Sequence, residues 1–436
     1  SVLLATLYEY AHQSGVPVVK VDTTDDSRIL VTGGKDGVVK LWNCAQLERD
    51  VAVSSSHTFT IPCGSAGRKQ RLRALRTVRD AKAVAVGSES GDALLYKIEP
   101  SRAGPSATQV CRFEPGGRPG SCAVMCMEQF DNELESLVVF AQAHGAVQGW
   151  DIRSQSRSWS VSSVPPWLGI PSCLALGSDG HSICVGTLSG GLLVYDLRFL
   201  APWKQWRVSS GAAILSMRSA SFGPSPGAFV SLGSDCNEVA LFDVVRGSCL
   251  TLFLTEPVAH RQREAAVSVP TLLQAAAPAP AGPGGVASTE WQRPPAPDAR
   301  RSAGSVRSLW LPSRGAQTYV LAGGADRRVR HWSLDPERHA AEAYVVTPPD
   351  PSERGQGRAA YSSNQLGDVL VVREARQAPP KGAGAAAAAG SDADDARGPT
   401  GANPNHRDAI LDLCSISLQQ DLLVTAGRDG LVKLWR

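Results

Sequence analysis

Two sets of four side chains, one near each end of the chain, repeat a histidine, a threonine, an aspartate and a tryptophan in the same order. They are His12, Thr32, Asp36 and Trp42 in the first set and His406, Thr425, Asp429 and Trp435 in the second. A histidine beside a carboxylate and a hydroxyl could supply a general base and a nucleophile. In both sets, however, the indole takes the place that a substrate would need, and the polar groups can satisfy one another inside a sheet. The pattern therefore favours a structural network over a catalytic site.

The other motifs that could carry catalysis are weak. Gly223 to Gly227 (GPSPG) has the G-x-S-x-G form of a nucleophile elbow, but it lies between two strand patterns, whereas the elbow needs a strand-to-helix turn. The chain has no phosphate-binding G-x-x-x-x-G-K-[ST] loop, no H-E-x-x-H and no kinase-type catalytic loop. Among its ten cysteines no C-x-x-C occurs, and Cys122 and Cys126 lack a His or Cys pair that would complete a zinc site. We predict that this chain is not an enzyme and that it has no catalytic residue, metal site or cofactor.

The elements that hold these side chains come from one phrase that recurs seven times: a hydrophobic strand, small residues, a tight turn, a second strand and an aromatic residue. The first copy is ILVTGGKDGVVKLW, and the copies close at Trp42, Tyr96, Trp150, Tyr195, Phe242, Trp332 and Trp435. Asp-Gly between alternating apolar runs predicts a hairpin whose turn accepts positive φ. Repeats of about 40 to 50 residues with a closing aromatic are typical of WD-repeat blades. We therefore predict an all-β fold, a seven-bladed WD-repeat β-propeller that forms a single domain over residues 1–436.

The two sets of four residues resemble the hydrogen-bonded tetrad of WD-repeat blades, in which a loop His, a strand Thr and a turn Asp link to the Trp indole. In the middle copies, His144, Ser189 and Arg327 or Arg328 stand near the place of the turn aspartate. We expect those blades to depend more on packing.

The two ends of the chain complement each other. The last copy stops at the third strand of a four-stranded blade, and the apolar run from Val2 to Tyr8 (VLLATLY) precedes the first complete blade. We predict that this N-terminal strand completes the last blade, because an unpaired strand edge would template aggregation. The chain begins at Ser1 rather than Met and has no secretory signal, so we expect it to be the C-terminal part of a longer protein.

Two tracts interrupt the repeat. Residues 256–305 are rich in Ala, Pro, Gly and Arg, and residues 376–405 combine five consecutive alanines with the acidic SDADDAR. Both have the composition of disordered segments. We predict disordered insertions between blades five and six and before the last blade.

Charge gives little indication of a ligand. The net charge is only +3, which makes no overall case for nucleic acid or membrane binding. One basic run contains Arg68, Lys69, Arg71, Arg73, Arg76 and Arg79. It either faces an acidic lipid or partner or forms a solvated blade edge. The scattered cysteines, several inside strand patterns, are typical of a reduced cytosolic protein.

Longer stretches of sequence resemble one family. The opening LATLYEYAHQSGVPVVKVDTTDDSRILVTGGKDGVVKLWN, the central HGAVQGWDIRSQSRSW and CVGTLSGGLLVYDLRFLAPW, and the ending HRDAILDLCSISLQQDLLVTAGRDGLVKLWR are similar to the C-terminal WD-repeat domain of the class III phosphatidylinositol 3-kinase regulatory subunit. The resemblance depends most on Asp-x-Arg after two successive blades, at Asp151 and Arg153 and at Asp196 and Arg198. We regard these four residues as candidates for partner contact.

The resemblance implies a scaffold. In that family the propeller supports assembly with the lipid kinase catalytic subunit and Beclin-type coiled-coil subunits, on the cytosolic face of endosomal and autophagic membranes. It also implies a serine/threonine protein-kinase-like domain upstream of Ser1, while lipid phosphorylation belongs to another subunit.

Two other functions stay open from the residues. Trp150 to Arg153 (WDIR) resembles the end of the W-D-x-R box by which some propellers serve as substrate receptors of cullin ubiquitin ligases, although His144 stands where that box carries an acidic residue. A phosphoinositide-binding propeller uses a Phe-Arg-Arg-Gly-type motif, and the nearest match, Arg300 and Arg301, lacks the Phe and the Gly.

Overall fold

The seven phrases fold as antiparallel hairpins whose central strands are covered on both faces. The second strands of the third and fourth copies, Ser136–Gln142 and Ser182–Thr187, are buried along their whole length. The structure, a computed structural model, describes residues 3–6, 12, 16–24, 26–47, 55–62, 70–78, 82–101, 104–113, 122–131, 136–177, 179–208, 212–222, 225–232, 238–255, 273–275, 306–312, 319–335, 337–348, 359–376, 405–417 and 421–436. No helix in this described part is long and apolar enough to cross a membrane.

The strands are numbered in chain order. The first half of the chain contains β1 (Leu3–Thr6), β2 (Val18–Thr23), β3 (Ile29–Gly34), β4 (Val38–Asn43), β5 (His57–Thr60), β6 (Leu72–Val78), β7 (Ala83–Ser88), β8 (Ala93–Ser101), β9 (Gly104–Phe113), β10 (Val124–Asp131), β11 (Ser136–Gln142), β12 (Val147–Asp151), β13 (Ser156–Val161), β14 (Pro171–Leu176), β15 (Ser182–Thr187), β16 (Gly191–Asp196) and β17 (Ala201–Val208). The second half contains β18 (Ile214–Phe222), β19 (Ser225–Leu232), β20 (Glu238–Asp243), β21 (Ser248–Leu254), β22 (Leu273–Ala275), β23 (Val306–Trp310), β24 (Tyr319–Gly324), β25 (Val329–Ser333), β26 (Tyr344–Val345), β27 (Ala359–Leu366), β28 (Val369–Arg376), β29 (Ile410–Ser417), β30 (Asp421–Gly427) and β31 (Val432–Trp435). One turn of α-helix, α1 (Cys44–Leu47), follows β4, and a 3-10 turn spans Pro166–Leu168.

The described strands form seven sheets, one for each blade. Blades one to four are β2–β5, β6–β9, β10–β13 and β14–β17; blade five begins with β18–β21, blade six is β23–β26, and blade seven is β29–β31 with β1. The first strands of neighbouring blades contact one another in a closed circle from β2 through β29 and back. The predicted all-β, seven-bladed propeller is confirmed.

The N-terminal strand completes the last blade. Strand β1 pairs antiparallel with β31, with Leu3 opposite Trp435 and Thr6 opposite Lys433. This is the predicted ring closure. Val2, Leu7 and Tyr8, the remaining residues of the predicted apolar run, lie outside the described residues.

The same irregularity occurs at the start of the innermost strand of every blade. The pairing register shifts by one residue after Val18 in blade one and after Ile410 in blade seven, and at the matching place in the other five blades. A β-bulge of this kind bends a strand and redirects a side chain. It lets each inner strand turn side chains into the central channel while the next residues pack between blades.

Successive antiparallel strands place the turns on two faces. The turn between the second and third strands and the connection from one blade to the next lie on one face, which we call the upper face. The turns between the first and second and between the third and fourth strands lie on the opposite, lower face. The Asp36-Gly37 and Asp429-Gly430 turns are on the upper face, and Gly37 and Gly430 have φ of 79° and 81°, as Asp-Gly turns require.

The core lies between blades. At the junction of blades one and seven, Leu30 and Trp42 pack against Ile416 and Leu434, all fully buried. The closing residues Trp42, Trp332 and Trp435 are among the largest fully buried side chains. Because each blade shares its apolar surface with two neighbours, the ring depends on all of its junctions.

Two sheets carry strands beyond the four of a blade. Strand β22 pairs with β17 at the rim of blade four, and the hairpin β27–β28 joins blade five, where β28 pairs in parallel with β21. The hairpin lies after blade six in sequence and was not predicted. The disorder predicted for 256–305 and 376–405 stays a prediction, because apart from β22, Arg376 and Asn405 these tracts lie outside the described residues.

Candidate functional site

In blade seven the four predicted residues form one continuous hydrogen-bonded chain. The Trp435 Nε1–H donates to Thr425 Oγ1 over 2.9 Å, Thr425 Oγ1 lies 2.7 Å from His406 Nε2, and His406 Nδ1 lies 3.0 Å from Asp429 Oδ2. A neutral histidine that carries its proton on Nδ1 satisfies every link, since the threonine hydroxyl then donates to Nε2. The chain runs from the sheet interior to the turn on the upper face.

The pKa shifts follow from this burial. Burial lowers the pKa of His406 below its ordinary 6.5, although the hydrogen bond to Asp429 acts in the opposite direction. Burial alone would raise the pKa of Asp429, but the interaction with His406 and the backbone N–H groups of Arg407 and Leu431 outweigh it, so that pKa lies below 3.8. The site therefore holds a neutral imidazole against an ionised carboxylate. Because its polar groups bind one another and the neighbouring backbone, the site is a structural network.

Blade one has the same four residue types, but the contact between its histidine and its aspartate is longer. The Trp42 Nε1–H donates to Thr32 Oγ1 over 3.0 Å, and Asp36 Oδ1 accepts the backbone N–H of Val38. His12 Nδ1 lies 3.3 Å from Asp36 Oδ1, but both ring nitrogens are buried without a hydrogen-bond partner among the described residues. The indole link is therefore made in both blades, and the histidine link is complete in blade seven.

Blade six replaces the histidine with an ion-pair network. Asp326 Oδ1 accepts the backbone N–H of Arg328, as Asp36 and Asp429 do in their turns, and Arg327 takes the glycine position with φ of 68°. The sequence placed Arg327 or Arg328 near the position of the turn aspartate, and the turn aspartate itself is Asp326, one or two residues earlier. Repeat alignment failed there because Arg327 stands where the motif usually has Gly.

The charge of Asp326 is matched by a side chain from the neighbouring strand. Arg330 Nη2 lies 2.5 Å from Asp326 Oδ2, and Arg330 Nε lies 2.5 Å from Glu374 Oε2 of the extra hairpin. The side chains of Arg330 and Glu374 are 2% and 0% exposed. Burial alone would lower the pKa of Arg330, but the two carboxylates outweigh it and raise the pKa. The hairpin thus connects blade five, where β28 pairs, to blade six, where Glu374 binds.

A second set of charges crosses the central channel. Arg76 Nε lies 2.9 Å from Glu128 Oε2 and its Nη1 lies 3.5 Å from Asp22 Oδ2, while Arg218 Nη1 lies 3.0 Å from Glu128 Oε1. These residues occupy the same position on the inner strands of blades two, three, one and five. Blade four has Ala175 there, which leaves room for Arg218 to reach Glu128. Sequence reasoning missed this network, because only the channel brings together residues that are 90 positions apart.

The predicted Asp-x-Arg residues lie in turns on the lower face. Asp151 Oδ1 accepts the backbone N–H of Arg153, and Asp196 Oδ1 accepts that of Arg198, each over 2.9 Å. The Arg198 guanidinium also contacts Asp196 through two further donors at 2.6 and 3.0 Å. Both aspartates fix the corner between the third and fourth strands of their blades. Whether these residues contact a partner stays a prediction.

The basic run is partly described. Arg68, Lys69 and Arg79 lie outside the described residues, and Arg76 belongs to the channel network and not to an exposed edge. Arg71 Nη1 and Arg73 Nη2 lie 3.7 and 3.0 Å from the two carboxylate oxygens of Glu89. These exposed pairs lie on the upper face, and ion pairs of this kind contribute little to stability.

The motif GPSPG lies at a strand-to-strand hairpin. Ser225 begins β19 opposite Phe222 of β18, so the serine is not on a strand-to-helix elbow. Among the described residues, no group of three or more His, Cys, Asp or Glu side chains is placed to hold a metal ion.

Comparison with known proteins gives two kinds of match. The family described as "WD domain, G-beta repeat" matches residues 2–43 and 399–436, which are the first blade with its N-terminal strand and the last blade. The "Serine/threonine-protein kinase VPS15" of Arabidopsis thaliana is 27% identical over 474 residues, which cover 100% of this chain and 28% of that protein.

Two further relatives have related names. The "Probable serine/threonine-protein kinase vps15" of Dictyostelium discoideum is 22% identical over 54% of this chain and 12% of its own length. The "Serine/threonine-protein kinase VPS15" of Saccharomyces cerevisiae is 24% identical over 58% of this chain and 17% of its own length. The chain thus spans less than a third of the length of these relatives. Together with the seven blades and the tetrads, the matches show a WD-repeat β-propeller that is similar to VPS15 proteins.

Proposed function

We propose that this propeller is the scaffold domain of a class III phosphatidylinositol 3-kinase regulatory subunit. The observation that carries the proposal is the similarity to VPS15 proteins over the whole ring, both tracts included. A closed propeller suits this role because a rigid ring presents turns on two faces and strand edges at the rim. Its partners are then the lipid kinase catalytic subunit and Beclin-type coiled-coil subunits.

In this proposal the domain binds and positions its partners and does not catalyse a reaction. Its charged clusters are internal: the blade-seven tetrad, the channel network and the Arg330–Glu374 pair all use their partners within the ring. Such networks hold the blades in fixed register, which keeps the surface turns in one arrangement for binding. The complex would work in endosomal sorting and autophagy, on the cytosolic face of those membranes.

Co-elution of purified components tests the proposal. The 436-residue chain is mixed with the lipid kinase catalytic subunit and the Beclin-type coiled-coil subunit, run on a size-exclusion column, and crosslinked in the shared peak. We expect a stable complex with crosslinks confined to one face or sector of the rim. A folded propeller that elutes alone at micromolar concentration contradicts the scaffold function.

A further inference from the structure

The central channel contains a cavity of about 60 Å³, and the inner strand of every blade contributes to its lining. One water molecule needs about 10–15 Å³ of such space, so the cavity has room for about four to six groups of the size of water. The side chains of Lys20, Arg76 and Arg218 are 36%, 28% and 24% exposed, which shows that solvent reaches it. The charged residues of the lining are Lys20, Arg76, Glu128, Arg218, Arg307 and Asp412.

Three of the four cations in this lining are paired with carboxylates. Glu128 contacts both Arg76 and Arg218. Asp412 Oδ2 lies 3.7 Å from Lys20 Nζ, which is the longest of these ion pairs. Even when the third carboxylate of the channel network is counted, four cations face three carboxylates. The cavity therefore has an excess of positive charge.

Two thiols in the lining do not change this balance. Burial raises the pKa of Cys173 to about 12 and raises that of Cys126 well above its ordinary 9.0. Both thiols are therefore neutral near pH 7 and add no negative charge.

The unbalanced charge belongs to Arg307 of blade six. Arg307 is the bulged residue at the start of β23, and a bulge redirects a side chain. Its Nε is buried and has no hydrogen-bond partner among the described residues. Burial and the charge of Arg428 lower the pKa of Arg307, and Asp408 offsets only part of this effect. A buried guanidinium without a counter-ion is costly, and a bound anion would remove that cost.

The room and the donor types indicate which anion fits. Guanidinium and ammonium groups are the donors that bind oxyanions in proteins, and a cleft lined by one sign of charge concentrates ions of the other sign. A tetrahedral phosphate group has four oxygens and matches the room for about four to six water-sized groups, whereas chloride would fill only about one of these places.

We propose that this cavity binds a phosphate group, with Arg307 and Lys20 as its direct ligands. The group is either inorganic phosphate or the phosphate of a lipid headgroup, because both present the same oxygens. Lys20 is the second ligand because its ion pair is long and its side chain is the most exposed of the paired cations. The site is separate from the scaffold function and does not depend on it.

Calorimetric titration of the purified chain with sodium phosphate, at constant ionic strength and near-neutral pH, tests the site. We expect a Kd of about 1 mM or tighter and a rise in Tm of about 2 °C at about 10 mM phosphate. Arg307→Gln should weaken phosphate binding about 10-fold or more. In phosphate-free buffer its Tm should equal or exceed that of the unaltered chain, because the variant loses an uncompensated buried charge. An arginine with a purely structural role would instead lower Tm when replaced.

Arg73→Gln is the matched control. Arg73 is the bulged residue on the inner strand of blade two, and its guanidinium lies 3.0 Å from Glu89 on the upper face, outside the cavity. This variant should bind phosphate like the unaltered chain. Lys20→Gln supplies a second loss of binding, so the site stays testable if Arg307→Gln does not fold.

Sedimentation with vesicles that contain phosphatidylinositol 3-phosphate distinguishes the two sources of the phosphate group. Phosphate binding without vesicle binding assigns inorganic phosphate, and vesicle binding that both Arg307→Gln and Lys20→Gln lose assigns the headgroup. Absence of both kinds of binding, or binding that both variants keep, overturns the site. Neither result changes co-elution with the lipid kinase and coiled-coil subunits, so the scaffold function is tested separately.

Discussion

Replacing Glu374 with glutamine tests the ionic connection between the extra hairpin and blade six. The change keeps the shape of the side chain but removes a charge that is fully buried against Arg330, with Oε2 2.5 Å from Arg330 Nε. At a charge separation of about 4 Å and an effective dielectric of about 20, the attraction is roughly 4 kcal/mol. Removing one partner of a buried pair typically costs about 3–5 kcal/mol, since the other charge stays buried. Asp326 still neutralises part of Arg330, so we expect a loss near the lower limit, about 3 kcal/mol.

The measurement is urea unfolding of the purified chain, followed by far-UV circular dichroism and by hydrogen exchange of the 359–376 hairpin. We expect the hairpin to lose protection before the rest of the ring, because β28 loses its ionic link to blade six and keeps its strand pairing to β21 and the packing of its buried valines. The double variant Arg330→Met/Glu374→Leu leaves Asp326 without its partner, so it should lose stability, but less than the sum of the losses of the two single variants. A loss below about 1 kcal/mol for Glu374→Gln, or a double-mutant coupling near zero, would refute the reasoning.

Three further results are expected. Deleting Leu3–Thr6 leaves the edge of β31 unpaired, so Tm should fall by several degrees and dimers or aggregates should form in light scattering, and a monomer with unchanged Tm would contradict the closure. Asp429→Ala removes the acceptor of three donors and should cost about 1–3 kcal/mol in urea, whereas Asp408→Ala, at an exposed carboxylate 3.9 Å from Arg428, should stay within about 0.5 kcal/mol. Because the folded pKa of His406 lies below 6.5, the unfolded chain takes up the proton first, and the free energy of unfolding should decline as pH falls below about 6.5. A second decline should follow as pH falls below 3.8, through the lowered pKa of Asp429. His406→Gln should reduce the first decline, to which His144, His331 and His339 also contribute because burial lowers their pKa values. It should also weaken the second decline, because His406 helps to lower the pKa of Asp429.

The fold could be predicted from the sequence because its signals are local. Each blade has a strand, a turn and a strand within about 14 residues, and Asp36-Gly37 and Asp429-Gly430 specify turns that no distant contact is needed to form. The closure by β1 followed from counting strands in the last blade. Strands that pair with a segment far away in the sequence have no such local signal. One example is β28, which pairs in parallel with β21, more than 110 positions earlier. Its sequence, VLVVREAR, reads as a strand but does not indicate which strand it pairs with.

The tetrad could be predicted in blades one and seven, where its residue types repeat. It could not be predicted in blade six, where an ion-pair network replaces it. Two tetrads share their residue types, so comparison of the copies identified them. In blade six the histidine is absent and Arg330 supplies the charge from a different strand, which no repeat pattern describes. The cavity of the central channel was also hidden, because the residues that line it come from inner strands far apart in the sequence.

The two sets of tetrad residues lie in the blades that meet where the ring closes. The ring closes beside the junction of blades seven and one, where β1 pairs with β31. Both of these blades carry all four tetrad residues. The same junction has further polar links: the Val21 N–H donates to Asp412 Oδ2 over 3.1 Å, and Thr23 Oγ1 donates to the Ser415 carbonyl over 3.2 Å.

These bonds are directional, so they fix the register of the two blades in a way that apolar contact alone does not. A ring whose closing junction slipped by one residue would turn the buried face of β31 toward solvent. Directional bonds at the closing junction therefore oppose a register slip that would leave the terminal edge open to pairing with another chain. They also keep the turns of both faces in the fixed arrangement that docking of a partner requires.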